Sequence, residues 1–312
     1  LRIRLALSSL IIAGCFCLPR AAAAQLNGFN IKGDQGLKAG SQAPPGIYYG
    51  APLYWYGTDT IKNRDGRTFS TTGDLNMFLG GPLVNGVTTK KLLGGNYGFM
   101  AALPFANVRV ELPRFDSDPG PGLSDMYVQP FNLGWHADRV DTLAGYGFFA
   151  PTGRYADGAD DNTGLGMWGH ELFAGTTVFF DDKKAWHAAT TGALEFHSSK
   201  KDSDIQVGTL LTLEGGFGRD FLMGAARVGL AYYAQWKLTD DTLTGLPALV
   251  VQGKNRVAGL GPEVSVPIAT KQTVYGFLTA RYQWEMGART TTQGDAFNVL
   301  VVLPLKPIRV NP

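Results

Sequence analysis

The chain has 312 residues, of which only 17% are charged, against about a quarter in a soluble domain, and it carries 41 glycines and 12% aromatics. A net charge of +2 with no basic block leaves no electrostatic footprint for nucleic acid. A mean hydropathy of −0.04 excludes a bundle of transmembrane helices.

Arg2 and Arg4 precede the apolar run LALSSLIIAGCFCL, which is broken by Pro19 and followed by RAAAAQ. A basic start, an apolar stretch and small residues are the parts of a secretory signal, so residues 1–24 read as a signal peptide cut after Ala24. Ile12-Ala13-Gly14-Cys15 also reads as a lipoprotein cleavage box that would leave Cys15 lipidated, although Phe16 to Leu18 continue the apolar run past it. Both cysteines, Cys15 and Cys17, fall in this segment. A cut after Ala24 therefore removes every thiol from the mature chain, and with them thiol catalysis and thiolate metal sites.

Residues 25–45 show no clear periodicity and are expected to lie under a barrel or plug its lumen; a loosely ordered N-terminal segment fits equally. From residue 46 onward no stretch supplies the roughly 18 apolar residues of a membrane helix. Alternation with period two recurs instead. About twelve strands are predicted, at 46–62, 74–90, 95–112, 122–136, 140–153, 166–180, 185–198, 204–217, 223–239, 254–269, 272–289 and 294–305, followed by a tail at 306–312.

Two strands show the pattern best. From Gly224 to Thr239 the even positions include Val228, Leu230, Tyr232 and Trp236, and the odd ones Arg227, Tyr233, Gln235 and Lys237. From Val274 to Ala288 the even positions, among them Val274, Leu278, Tyr282, Trp284, Met286 and Ala288, form an apolar face. Thr279, Arg281, Gln283 and Glu285 stand on the other. A helix would scatter Arg227, Lys237, Arg281 and Glu285 around its cylinder; strands separate them cleanly.

A β-sandwich also alternates, with its apolar face inward. Three features favour a membrane. The strands exceed the ~5–6 residues usual in globular sheets and reach the ~9–11 needed to cross a bilayer. Trp and Tyr cluster toward strand ends on the apolar face, and the opposite face is polar and glycine-rich. Short connections (137–139, 181–184, 218–220, 270–271) alternate with long polar or Gly/Pro-rich ones, as expected of periplasmic turns and external loops. The reading is an all-β protein, a transmembrane antiparallel β-barrel of the outer membrane with both termini periplasmic. Its partners would be the lipid bilayer, a small-molecule solute and the barrel-assembly machinery.

Little in the sequence points to chemistry. No G-x-S-x-G elbow is present, and His170-Glu171 lacks the second histidine of H-E-x-x-H. Strand phase puts His187 and His197 on the lumen side with Glu195, where a solvated side chain is commoner than a catalyst. Asp157, Asp160 and Asp161 share a loop but match no calcium-binding pattern. The chain is therefore read as a non-enzyme without a cofactor. More informative are Glu214, Arg227, Glu263 and Arg281, which the phase turns inward on four successive strands, with Gln283 and Glu285 above Arg281. They form either an ion-pair belt that stiffens the wall or a constriction that sets selectivity.

Several runs resemble the outer-membrane family named for the MetA (meta) pathway of phenol degradation. They are GLKAGSQAPPGIYYG (36–50), GLSDMYVQPFNLGWH (122–136), GYGFFAPTGRY (145–155), GLGMWGHEL (164–172), YYAQWK (232–237), KNR with GPEV across 254–264, and RYQWEMGAR (281–289). The resemblance spans nearly all of the mature chain. It implies a transporter-like barrel distantly akin to fatty-acid and aromatic-hydrocarbon channels, in a family linked with aromatic catabolism. The C-terminal run VLVVLPLKPIRVNP departs from the pattern by lacking the terminal aromatic that the assembly machinery reads. Function is accordingly expected to be passage of small, hydrophobic or aromatic solutes; the alternative is a structural or surface-interaction barrel with a blocked lumen and working external loops.

Overall fold

The computed structural model describes residues 27–309, apart from 71–72, 113–114, 158, 222–223, 225 and 243–253. The segment read as a signal peptide, with Cys15 and Cys17, lies outside the described residues, as do residues 310–312. Twelve antiparallel strands close into a barrel. They are β1 (Gly46–Thr58), β2 (Asp74–Gly80 continued by Leu83–Leu92), β3 (Gly95–Ala102 continued by Phe105–Leu112), β4 (Met126–His136), β5 (Val140–Ala150) and β6 (Gly169–Phe179). The rest are β7 (Trp186–His197), β8 (Leu210–Phe221), β9 (Ala226–Lys237), β10 (Arg256–Ala269), β11 (Thr273–Arg289) and β12 (Asp295–Pro304). Closure is made by β1 on β12, in register from Tyr48 opposite Pro304 to Gly57 opposite Asp295.

Every strand is two-faced, so one side chain in two must face lipid and the next the interior. The result inverts a soluble protein. Leu172, Phe217, Leu230, Val264 and Trp284 are exposed, while Thr177, His187, Glu195, Thr212, Glu214 and Gln283 are almost fully buried. Aromatics ring both ends of the outer face. At the short-turn end Trp186 stacks on Phe217, and the Arg219 guanidinium covers the rings of Trp186 and Phe221 at 5.2 and 4.9 Å, where a cation can reach lipid headgroups. The β2–β3 turn is tight because Leu93 (φ 51°) and Gly94 (φ 82°) are both left-handed, the geometry that suits the twist of a two-residue hairpin.

Four expectations need correction. The first strand stops at Thr58; Ile61–Lys62 instead joins Thr68–Ser70 and Thr291–Thr292 in a small loop sheet. The eighth strand is Leu210–Phe221 rather than 204–217, and Gly218-Arg219-Asp220 lies inside it rather than in a turn. Gly218 is there for clearance, since a Cβ would stand 2.8 Å from Leu37 Cδ1. Lastly, Val274 and Ala288 face inward, against the simple alternation. Pairing passes from Ile268–Gly276 to Ala269–Val274 and so skips Tyr275, and between Met286 and Arg289 the strand holds one residue more than β10 opposite. These are β-bulges, the second at Gly287 with φ +66°, and each reverses the phase beyond it.

The wall is irregular over β1–β4. β2 breaks at Gly81-Pro82 and β3 at Leu103-Pro104, while β4 shifts register around Pro130. Proline has no N–H to give to a ladder. Each break is bridged through a proline carbonyl instead: Gly81 N–H donates to Pro52 O (3.2 Å), Leu103 to Pro82 O (3.0 Å) and Ser124 to Pro104 O (2.9 Å).

Closed ladders without a free edge resist detergent until heated. The folded protein should therefore migrate faster on gels unboiled than boiled, and identical mobility would contradict closure. Leu278 is exposed on the outer face and Thr279 bonds Ser265 across the inner one (2.9 Å). Leu278→Arg should accordingly cost about 2–4 kcal/mol and lower the heat-shifted yield, while Thr279→Arg should be much milder; equal yields would show the phase to be wrong.

Candidate functional site

The barrel interior is occupied by the chain's own residues 27–45. This stretch has no regular secondary structure, so its backbone donors must be satisfied by the wall. Inward carboxylates do this. Glu195 accepts from Phe29 N (2.7 Å) and Asn30 N (2.8 Å), Glu214 from Gly33 N (2.8 Å) and Gln35 N (2.7 Å), and Glu263 from Leu37 N (3.2 Å). Side chains add to these: Lys32 Nζ meets Glu285 (2.6 Å), Lys38 pairs with Asp220, and Ser41 Oγ donates to Asp141 (2.8 Å). Hydrogen bonds to charged acceptors contribute about 1.5–3 kcal/mol each, so the segment is held firmly.

The partners also fix its direction. Glu195 and Leu210, beside Gly28 and Phe29, stand at the long-loop ends of β7 and β8; Asp220, Asp141 and Asn96, met by Lys38, Ser41 and Gln42, stand at short-turn ends. The segment thus runs the height of the interior, and the first described residues lie at the opposite end from the start of β1. Phe29 stacks on Phe149 at 4.6 Å, and Leu37 is wholly buried over Gly216, Gly218 and Gly229. Any side chain at these three glycines would meet Leu37 within 2.8 Å. Gly33 combines a φ of +81° with an approach to Gln283 that leaves no room for a Cβ.

The six residues singled out from the sequence divide. Glu263 and Arg281 are brought together as a buried pair (2.8 Å), and Arg281 also donates to Gly33 O. Glu285 sits above them and accepts from the hydroxyls of Tyr56 (2.7 Å) and Tyr233 (2.8 Å) as well as from Lys32. Gln283 is fully buried between these levels. Glu214 does not join the pair; its carboxylate is taken by the segment. Arg227 is apart from all of them, bonded to Asp220 (2.7 Å) near the short-turn end. The four charges therefore stand in three places: the Glu263–Arg281 pair, Glu214 on the segment, and Arg227 on Asp220.

Sequence reasoning missed Asp220, assigned to a turn, although it gathers His187 (3.0 Å), Arg227 and Lys38. It also missed Lys32 and Lys38 as wall partners, because an aperiodic stretch gives no phase from which to read a direction. His170 and Glu171 point to opposite faces: His170 is exposed beside Tyr146, and Glu171 is buried beside Tyr127. They cannot share a ligand. No group of three or more potential metal ligands occurs among the described residues. Above the barrel, loop 151–168 is latched by Asp125, which accepts from Gly153 N (2.9 Å) and Leu165 N (2.6 Å). Lys200 donates to Leu165 O (3.1 Å), and burial lowers its ammonium to about 8.

Among solved structures, the chain is similar to an outer-membrane channel from Pseudomonas putida F1, with a TM-score of 0.72 at 14% identity over 86% of this chain and 98% of that one. The β domain of the Bordetella autotransporter BrkA gives a TM-score of 0.49 at 16% identity, covering 84% and 100% of the two chains. The monoaromatic hydrocarbon channel CymD gives 0.43 at 8%, covering 85% and 90%. No curated protein matches the sequence. The first of these likenesses establishes the fold, that of an outer-membrane barrel. The family model matches residues 58–301, β2 to most of β12, and the chain belongs to the family of the MetA-pathway of phenol degradation.

Proposed function

We propose that this barrel is an outer-membrane channel for small solutes, hydrophobic and aromatic ones among them. The observation that carries the reading is the interior itself. A wall lined with carboxylates, which could hold an open aqueous pore, is instead covered by residues 27–45 through hydrogen bonds spread over its whole height. Such a lumen favours solutes that do not need a wide water-filled path. The interrupted ladder at Gly81-Pro82 and Leu103-Pro104 supports the same reading, since the prolines remove ladder hydrogen bonds there that a bilayer-dissolved solute entering sideways would otherwise have to break. A blocked barrel whose external loops carry the function would share the filled lumen, but the interrupted ladder in the wall favours the channel.

Residues 27–45 act as a plug in this reading, and the Glu263–Arg281 level is its narrowest polar zone. Arg281 is not a solvated lumen charge: its side chain is 7% exposed, and it holds both Glu263 and the segment. Removing one partner of a buried pair costs about 3–5 kcal/mol, well above the ~0–1 kcal/mol of an exposed one.

In proteoliposomes the wild type should take up monoaromatic solutes faster than sugars of similar mass. No uptake of either would favour the blocked barrel. In planar bilayers Arg281→Ala should raise conductance and shift preference toward cations, because Glu263 is left uncompensated and the segment loses a tether. Unchanged conductance and ion preference in the folded variant would remove this level as the constriction.

A further inference from the structure

The outer surface of the barrel carries a cavity of about 290 Å³ at the long-loop end, across β3, β2, β1 and β12 and reaching Tyr282 of β11. It is built from two strand-registered rows. In the upper row Arg109 pairs opposite Asn76, Asn76 opposite Gly57, and Gly57 opposite Asp295. Two residues further into the wall, Asn107 lies opposite Phe78, Phe78 opposite Trp55, and Trp55 opposite Phe297. Asn76 and Asp295 thus stand above Phe78 and Phe297, Arg109 stands above Asn107, and Gly57, without a side chain, opens the notch above Trp55.

This face meets lipid, where unsatisfied polar groups are costly. Asn107 lines the cavity, yet its Oδ1 is closed off from solvent and has no partner among the described residues. Trp55 stacks on Phe297 at 5.7 Å and packs on Phe78 at 5.2 Å, giving a continuous apolar floor. A site with an apolar floor and a few placed polar groups is the usual form of a small-molecule pocket, and about 290 Å³ is near the low end of their size range.

We propose that this notch binds the acylated sugar headgroup of a glycolipid of the external leaflet. Long loops face outside in outer-membrane barrels, which places the two rows at the headgroup level of that leaflet. Hydroxyls of the sugar donate to Asp295, its oxygens accept from Asn76 and Arg109, and the acyl chains run down over Trp55, Phe78 and Phe297. The charge pattern selects a sugar over a simple phosphate headgroup. Arg109 is already neutralised by Glu111 (2.5 Å) with Asp118 nearby (3.9 Å), and Asp295 adds a carboxylate that accepts from hydroxyls and repels anions. The site is independent of passage through the barrel, so it stands or falls apart from the channel reading.

The test uses the full-length protein in nanodiscs containing either lipid A stripped of its two phosphates or phosphatidylglycerol, with retained lipid counted by native mass spectrometry and thermal unfolding followed in parallel. Gly57→Leu fills the notch without disturbing the strand: the nearest atom to the added Cβ is Asn76 Oδ1 at 3.3 Å. Asp295→Leu removes the acceptor and leaves an apolar residue facing lipid. The wild type should retain lipid A in preference to phosphatidylglycerol and unfold at a higher temperature with it, and each variant should lower retention about tenfold, the loss expected for one or two hydrogen bonds. Both variants should keep the heat-dependent gel shift that reports a folded barrel. Equal retention of the two lipids by the wild type, or unchanged lipid A retention in both folded variants, would overturn the proposal.

Discussion

The constraint on which the rest depends is that a carboxylate out of reach of bulk water must have a partner. β5 to β11 turn Asp141, Glu171, Glu195, Glu214, Asp220, Glu263 and Glu285 inward, and all seven are buried. The wall supplies only part of their compensation, chiefly Arg227 for Asp220 and Arg281 for Glu263. Further partners come from residues 27–45, through two lysines, the side chains of Asn30 and Ser41, and a series of backbone N–H groups. An irregular backbone needs acceptors as much as the wall needs donors. Each therefore makes the other possible, and the segment's lack of secondary structure is the reason it can serve carboxylates at so many heights.

Most of the barrel was legible in the sequence because strand alternation is local and the membrane enforces it. Trp186, Val228, Leu230 and Trp284 could be assigned outward, and His187, Glu195, Glu214 and Gln283 inward, from parity alone. Parity failed at Val274 and Ala288, where a single inserted residue reverses the faces. Nothing in the local composition around Tyr275 distinguishes a bulge from a continuing strand. Gly287 gave a hint, but one glycine among 41 is a weak signal.

The interior site was less legible, for a different reason. Glu263 and Arg281 could be matched because they lie on adjacent strands and in direct register. Glu214 and Arg227 are also on adjacent strands, yet six residues of register separate them: Glu214 lies opposite Tyr233, and Arg227 opposite Asp220. Strand phase gives the face but not the height, and height decides who meets whom. Hydrogen bonds of residues 27–42 to the wall range from 54 positions in sequence, for Gln42 with Asn96, to 265, for Gly33 with Asn298, and follow no period at all. Gly218 shows the cost most directly: it looked like a turn former, and its use is to make room for Leu37.

Leu37 gives the segment an indexed position. Its side chain fits where three glycines from β8 and β9 leave a hollow, and carboxylates at fixed heights above and below engage particular backbone N–H groups. Sliding by a single residue would drive Leu37 against occupied wall and take several donors from their acceptors at once. Intermediate depths are therefore disfavoured together, and the wall indexes the segment at one depth as a detent indexes a bolt.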